Sequence, residues 1–191
     1  MQRIDQYGRL TTRTIERHTA WCGADQFQAQ RSRKLTGKLT SFLIRRLSNL
    51  EDGTPIGLRV KRDADTIEIT CSELIIFYDI LVLAREIIGE LKESPRERID
   101  LVIGLEEDFG KSQTKPDSQH VMATVNGFLS DKEVQGISAS FHIVDDIPTV
   151  ALRGEVPDLE RLTSAIRAIK QVFDSEGMHV KLLIELKSLS S

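Results

Sequence analysis

The side chains that most often carry acid–base or metal chemistry are few in this chain, and they are not spaced for it. The histidines are His18, His120, His142 and His179, and none lies at ligand spacing from another. The two cysteines, Cys22 and Cys71, fit neither a metal motif nor a disulfide framework, so we expect small buried apolar side chains. We therefore expect no catalytic residues, no metal and no cofactor.

Two acidic clusters could in principle hold Mg²⁺ through carboxylate oxygens: residues 106–108 (EED) and 145–146 (DD). No Gly-rich phosphate loop accompanies them. Gly23 and Gly104 precede predicted helices, where backbone N–H groups bind anions, but acidic residues follow both glycines. We expect the clusters to serve as turn and cap residues. Since no nucleophile motif is present either, the chain is not expected to be an enzyme.

The basic side chains are concentrated at the start of the chain. Residues 1–62 hold thirteen Lys/Arg against five Asp/Glu, whereas residues 63–191 hold thirteen against twenty-four. The candidate basic patch consists of Arg31, Arg33, Lys34, Lys38, Arg45, Arg46, Arg59, Lys61 and Arg62. Such polarity predicts an acidic partner, attraction between the two parts of the chain, or two solvated faces that happen to differ in charge.

Nucleic acid is one acidic partner whose phosphates this patch could bind. Sheets of the RNA-recognition class need aromatic side chains on their middle strands, and here the corresponding stretches, 100–108 and 180–187, carry none. The pI near 5.9 is also lower than expected for a nucleic-acid-binding domain, which usually carries a strongly basic surface. Nucleic-acid binding through a basic helix at 31–50 is therefore the alternative function rather than the first.

The elements that must position these residues repeat along the chain. A shift of 81 residues aligns 81–94 with 162–175 without a gap, and it lays the alternating apolar residues of 99–105 over those of 180–186. It also lays 56–60 over 137–141 and 17–23 over 98–104. Apolar positions match in register although identity is low. The pattern predicts an internal duplication.

Each copy predicts the order β-α-β-β-α, and a closing strand follows at 179–187. That order resembles tandem ferredoxin-like units of the α+β class, with antiparallel sheet covered by helices on one face. The superfold hosts many unrelated functions and implies no activity. We expect a loose arm at 1–16, a first repeat at 17–106, a connector at 107–118 and a second repeat at 119–191. The strand at 98–105 falls in the first repeat and can be shared with the second.

The helix at 73–91 is apolar on nearly every side, whereas its counterpart in the second copy is amphipathic, with Arg167 and Lys170 toward water. Ser72 and Asp158 are the expected N-caps. Transferring the second stripe back by 81 places Tyr78, Leu81, Ala84, Ile88 and Leu91 on the sheet. The residues left outside are Ile75, Ile76, Val82 and Leu83. This outer stripe predicts either coverage within the chain or a protein interface.

These patterns favour a non-catalytic protein-interaction module, such as an adaptor, regulatory or accessory subunit. It would dock a protein partner or a second copy of the chain through this over-hydrophobic helix and the basic N-terminal half. A small-ligand sensor built from paired ferredoxin-like units is a further alternative. The longest apolar block, 74–84, is too short to cross a bilayer, and nothing in the first twenty residues looks like a signal peptide. We expect a cytoplasmic protein without membrane contact.

Overall fold

Six strands form one sheet, and five helices accompany it, in the part of the chain that the computed structural model describes: residues 27–47, 57–107, 116–155 and 158–189. The helices are α1 (27–46), α2 (Leu74–Val82), α3 (Ala84–Leu91), α4 (Ser118–Asp131) and α5 (Leu159–Ser175). The strands are β1 (Leu58–Asp63), β2 (Thr66–Cys71), β3 (Ile99–Leu105), β4 (Ile137–Val144), β5 (Ile147–Gly154) and β6 (Lys181–Leu189). The expected arm at 1–16 and the strand expected at 17–23 lie outside the described residues.

The sheet has the strand order β1-β2-β3-β6-β5-β4 and is mixed. Within each half a hairpin is antiparallel, and a helical crossover then returns the chain so that β3 runs parallel to β2 and β6 parallel to β5. The β3 and β6 strands pair antiparallel and join the halves. The expectation of a purely antiparallel sheet was wrong. A helix that crosses over the sheet brings the next strand back in the same direction, which a hairpin does not do.

The two halves have the same order of elements. Residues 58–105 and 137–189 each run strand, strand, helical crossover, strand, with equivalent pairing about the β3–β6 contact; the crossover is α2 followed by α3 in the first half and α5 in the second. The α+β class is confirmed. The ferredoxin-like assignment is not confirmed, because each crossover joins neighbouring strands and the strand expected at 17–23 is not described. It stays a prediction, as does the division into two repeats and a connector.

Local signals account for several of these boundaries. The β4–β5 turn consists of Asp145 and Asp146 at φ 50° and 64°, a left-handed conformation that Asp tolerates and that type I′ hairpins require. The side chain of Asp158 caps α5 by accepting a hydrogen bond from the Arg161 N–H at 3.0 Å, as expected. The N-cap of α2 is Glu73, without a side-chain bond, so the expectation of Ser72 was wrong.

One face of the sheet lies against the helices. Alternate residues of the central strands are buried there: Ile67, Ile69, Ile99, Leu101, Ile103, Leu182, Ile184 and Leu186. They form one cluster with buried residues of all five helices. The opposite face carries charged pairs between neighbouring strands, such as Arg153 with Glu185 and Lys187 with Asp100 at 2.8 Å. The period of two thus separates an apolar side from a polar side.

Candidate interaction surface on the helix layer

The residues considered for metal or acid–base chemistry have structural contacts. His120 pairs with Glu176 at 2.7 Å, and His142 lies 2.9 Å from the Ser140 hydroxyl. Glu106 pairs with Arg59 at 3.2 Å. Asp145 and Asp146 form the hairpin turn, as expected. Within the described ranges, no three His, Cys, Asp or Glu side chains are arranged to hold a metal ion.

Cys71 is a buried side chain at the end of β2. Its Sγ lies 3.6 Å from the Gly104 carbonyl oxygen. Burial, together with the nearby charge of Glu73, raises the pKa of the Cys71 thiol to about 12. The thiolate is therefore scarce at neutral pH, and the thiol is a poor nucleophile. Cys22 lies outside the described residues.

Most of the candidate basic patch is paired within the chain. Along α1, Arg31 pairs with Glu93 at 2.7 Å, Arg45 with Glu90 at 3.7 Å and Arg46 with Glu86 at 2.5 Å. On β1, Arg59 pairs with Glu106, Lys61 with Glu68 at 4.0 Å, and Arg62 with Glu97. All six acidic partners come from residues 63–191. The basic residues of α1 and β1 therefore form ion pairs with the acidic part of the chain, as one of the three expectations required.

Arg62 differs from the other cations because it lies on the core side of β1. Its side chain is only 3% exposed, and it donates to the Leu91 carbonyl oxygen at 3.3 Å in addition to Glu97. Its Nε has no hydrogen-bond partner among the described residues. Arg62 therefore belongs to the packing of β1 against the end of α3 and is not available to an external partner.

Three cations remain at the surface of α1. Arg33, Lys34 and Lys38 are exposed and form no ion pair within the described part of the chain. Lys34 and Lys38, with Arg31, border a groove of about 500 Å³ between α1 and the end of α3. Its apolar lining is Phe27, Leu35 and Leu91. The patch that could meet an acidic partner is therefore much smaller than the sequence indicated.

The outer stripe on α2 is also narrower than expected. Ile75 is 74% exposed and Val82 38%, and Leu74 beside them is 37% exposed. Ile76 is 2% exposed, so its placement on the outside was wrong, and Leu83 is partly buried against the core. Ile76 belongs to the core cluster together with Phe77, Ile80 and Leu81. The buried face of α2 is therefore wider than the stripe transferred from α5.

A tyrosine–arginine pair borders this exposed stripe. The Arg167 guanidinium of α5 lies 4.7 Å from the ring centroid of Tyr78, within cation–π distance. Burial raises the pKa of Tyr78 and that of Asp79, and in both cases the charge of Arg167 opposes the shift. Tyr78, Asp79 and Val82 follow Ile75 at helical spacings of three, four and seven. One helical face therefore presents apolar, aromatic and charged groups together.

A buried cation lies further along α5. Lys170 is 7% exposed and pairs with Glu107 at 2.7 Å and with Asp174 at 2.5 Å. Burial lowers its pKa, but hydrogen bonds to Asp174 and Glu107 outweigh burial, so the pKa is raised overall. The expectation that Lys170 faces water was wrong, because Glu107, two residues past the end of β3, lies close enough to neutralise it. Sequence reasoning had no signal for that contact.

No described helix has the length and apolar character needed to cross a bilayer. Comparison of the chain with known protein families, with curated proteins and with solved structures finds no match. The surface formed by Leu74, Ile75, Tyr78, Val82 and Arg167, which we call the α2 surface, is the site that the geometry favours.

Proposed function

We propose that this protein is a non-catalytic protein-interaction module, an adaptor, regulatory or accessory subunit, that docks through the α2 surface. The observation that supports the proposal is the exposure of Ile75 and Val82 on one helical face beside the Tyr78–Arg167 pair. Neither exposed side chain is needed to fill the core. Fully burying an exposed aliphatic side chain of this size is worth ~1.5–3 kcal/mol. A partner would gain most of that free energy from Ile75 and a smaller share from Val82, which is already more than half buried.

The composition of the α2 surface suits a binding hot spot. Tyr and Arg are enriched at such positions, where apolar neighbours exclude water around them. The guanidinium of Arg167 already lies against the Tyr78 ring, so a partner does not need to order it. A protein partner is therefore favoured over a small ligand, which needs a concave pocket rather than an exposed helix.

The free cations of α1 add a preference for acidic chemistry in the partner. Arg33, Lys34 and Lys38 have no ion pair within the described residues, and they lie on the helix that packs beside α3. Long-range attraction between opposite charges speeds association without direct contact at the docking site. We therefore assign affinity to the α2 surface and steering to these three side chains.

The test is a double variant, Ile75→Lys with Val82→Lys. A control double variant, Ala123→Lys with Ser130→Lys, adds the same charges at exposed α4 positions that are also seven residues apart. A partner captured in stoichiometric amount by the wild-type chain is purified and titrated against each variant. Binding should weaken by about 100-fold or more for the α2 variant, since two charges are desolvated without partners, and stay unchanged for the control.

The thermal melting temperature should be the same for all three proteins. Undiminished partner binding by the folded α2 variant would contradict the proposal. So would salt-dependent retention of the wild-type chain on RNA or DNA that Lys34→Glu abolishes, because that result would favour the nucleic-acid alternative.

The tandem ferredoxin-like architecture and the cytoplasmic location stay predictions. The first is supported by the shared order of elements in residues 58–105 and 137–189.

A further inference from the structure

The two strands at the ends of the sheet differ in how their open edges are protected. Strand β1 has six residues, and four of them are charged: Arg59, Lys61, Arg62 and Asp63. Charged side chains, lysine above all, keep an open edge from pairing with another strand. Strand β4 has eight residues, ISASFHIV, with neither Lys, Arg, Asp, Glu nor Pro among them. Its pairing with β5 runs without a bulge.

The hairpin turn determines which backbone groups of β4 point outward. Val144 pairs with Ile147 across the two-residue turn, which makes that pair hydrogen-bonded. Hydrogen-bonded and non-hydrogen-bonded pairs alternate along an antiparallel ladder. Ser138, Ser140 and His142 therefore bond to β5. The N–H and C=O groups of Ile137, Ala139, Phe141 and Ile143 point away from the sheet.

The side chains along this edge are incompletely covered. Ile143 is 48% exposed and Val144 is 52% exposed. Ile137, Ala139 and Phe141 pack against the core but are only partly buried. A strand added here would satisfy the outward backbone groups and cover apolar surface at the same time, which is the basis of strand addition in protein recognition.

We propose that β4 pairs antiparallel with β4 of a second copy of this chain, about a two-fold axis at Ser140. In this register Ile137 lies opposite Ile143 of the second copy, and Ala139 lies opposite Phe141. These pairs use every outward N–H and C=O group of the strand. The axis is perpendicular to the sheet, so the helices of both copies lie on the same side.

The side chains match in this arrangement. Phe141 meets the small Ala139 of the second copy, and on the opposite face Ser138 meets His142 while Ser140 meets itself. No like charges face each other. Self-pairing of β1 about a two-fold axis at Val60 would instead bring Arg59 opposite Lys61 of the second copy, and like charges directly opposite are unfavourable. The second copy therefore fits β4 and not β1, and the pairing does not depend on the α2 surface.

Hydrogen exchange of the full chain, measured across a dilution series, tests the pairing directly. In concentrated protein the amides of Ile137, Ala139, Phe141 and Ile143 should be protected, and they should exchange quickly once dilution gives monomer. The amides of Ser138, Ser140 and His142 are the internal control, since their bonds to β5 persist in both states. Sedimentation should show twice the mass of one chain in the concentrated samples only.

A pair of variants adds a second test. Ser140→Lys places two lysines opposite each other at the axis and should raise the dimer dissociation constant by about 100-fold or more. Thr66→Lys adds the same charge on the same sheet face in the first half and should leave the constant unchanged. A wild-type chain that is monomeric at every concentration overturns the proposal. So does protection of the edge amides that survives dilution in a monomer, because the chain's own residues would then cover the edge. An unchanged dimer in Ser140→Lys also overturns it.

Discussion

The two halves of the sheet have the same order and pairing of strands but opposite surfaces. In the first half the crossover helix exposes Ile75 and Val82, while the edge strand β1 is charged. In the second half the crossover helix α5 exposes polar residues such as Arg167, while the edge strand β4 contains neither Lys, Arg, Asp nor Glu. Positions outside the core can diverge without altering the fold, so one architecture can present two different surfaces.

The largest expected effect separates adjacent residues of α2. Ile76→Lys buries an unpaired charge in the core and should lower the free energy of unfolding by more than about 4 kcal/mol. Ile75→Lys, one position away and 74% exposed, should change it by less than about 0.5 kcal/mol. Urea unfolding measures both. Equal losses would mean that α2 does not divide into a buried and an exposed face as described.

The next effect concerns the buried cation of the second half. Lys170→Met should lower the free energy of unfolding by about 1–3 kcal/mol, because Glu107, 24% exposed, loses its cation. At the equivalent position, 81 residues earlier, the first half has the exposed Gly89, where an added Cβ would meet no atom within 4 Å. Gly89→Ala should therefore stabilise α3, by about 0.5–1 kcal/mol. Opposite changes in the free energy of unfolding at these two equivalent positions would support the difference between the halves. Stabilisation by Lys170→Met would contradict it.

The same lysine predicts a pH dependence. Its pKa is raised in the folded chain, so the unfolded chain releases the proton at lower pH than the folded chain does. The contribution of Lys170 to stability is therefore complete below the ordinary lysine range and is lost as the pH rises through the folded pKa. The free energy of unfolding should fall as the pH is raised from neutral to alkaline, and the fall should be smaller in Lys170→Met. An identical pH profile for the variant would exclude Lys170 as the source.

The smallest contrast lies at the starts of the crossover helices. Asp158→Ala removes a side-chain cap from α5 and should cost about 1 kcal/mol. Glu73 is the N-cap of α2, and its side chain makes no capping hydrogen bond. Glu73→Ala should therefore change the free energy of unfolding by less than about 0.5 kcal/mol. Thermal melting of the two variants is sufficient to compare them. A larger loss for Glu73→Ala would show that α2 depends on its N-cap more than α5 does.

Periodicity, turn chemistry and the spacing of 81 residues determined the order of elements, since these signals are local. The same is true of the Asp145–Asp146 turn, the Asp158 cap and the apolar faces of the strands. Tertiary structure alone decided the strand order and the parallel pairs, because pairing joins residues that are distant in the chain. It buried Ile76 in the core, matched five basic residues of α1 and β1 to acids far along the sequence, and brought Glu107 to Lys170. It also left β4, which the sequence shows only as apolar and uncharged, at an edge of the sheet formed by the described residues.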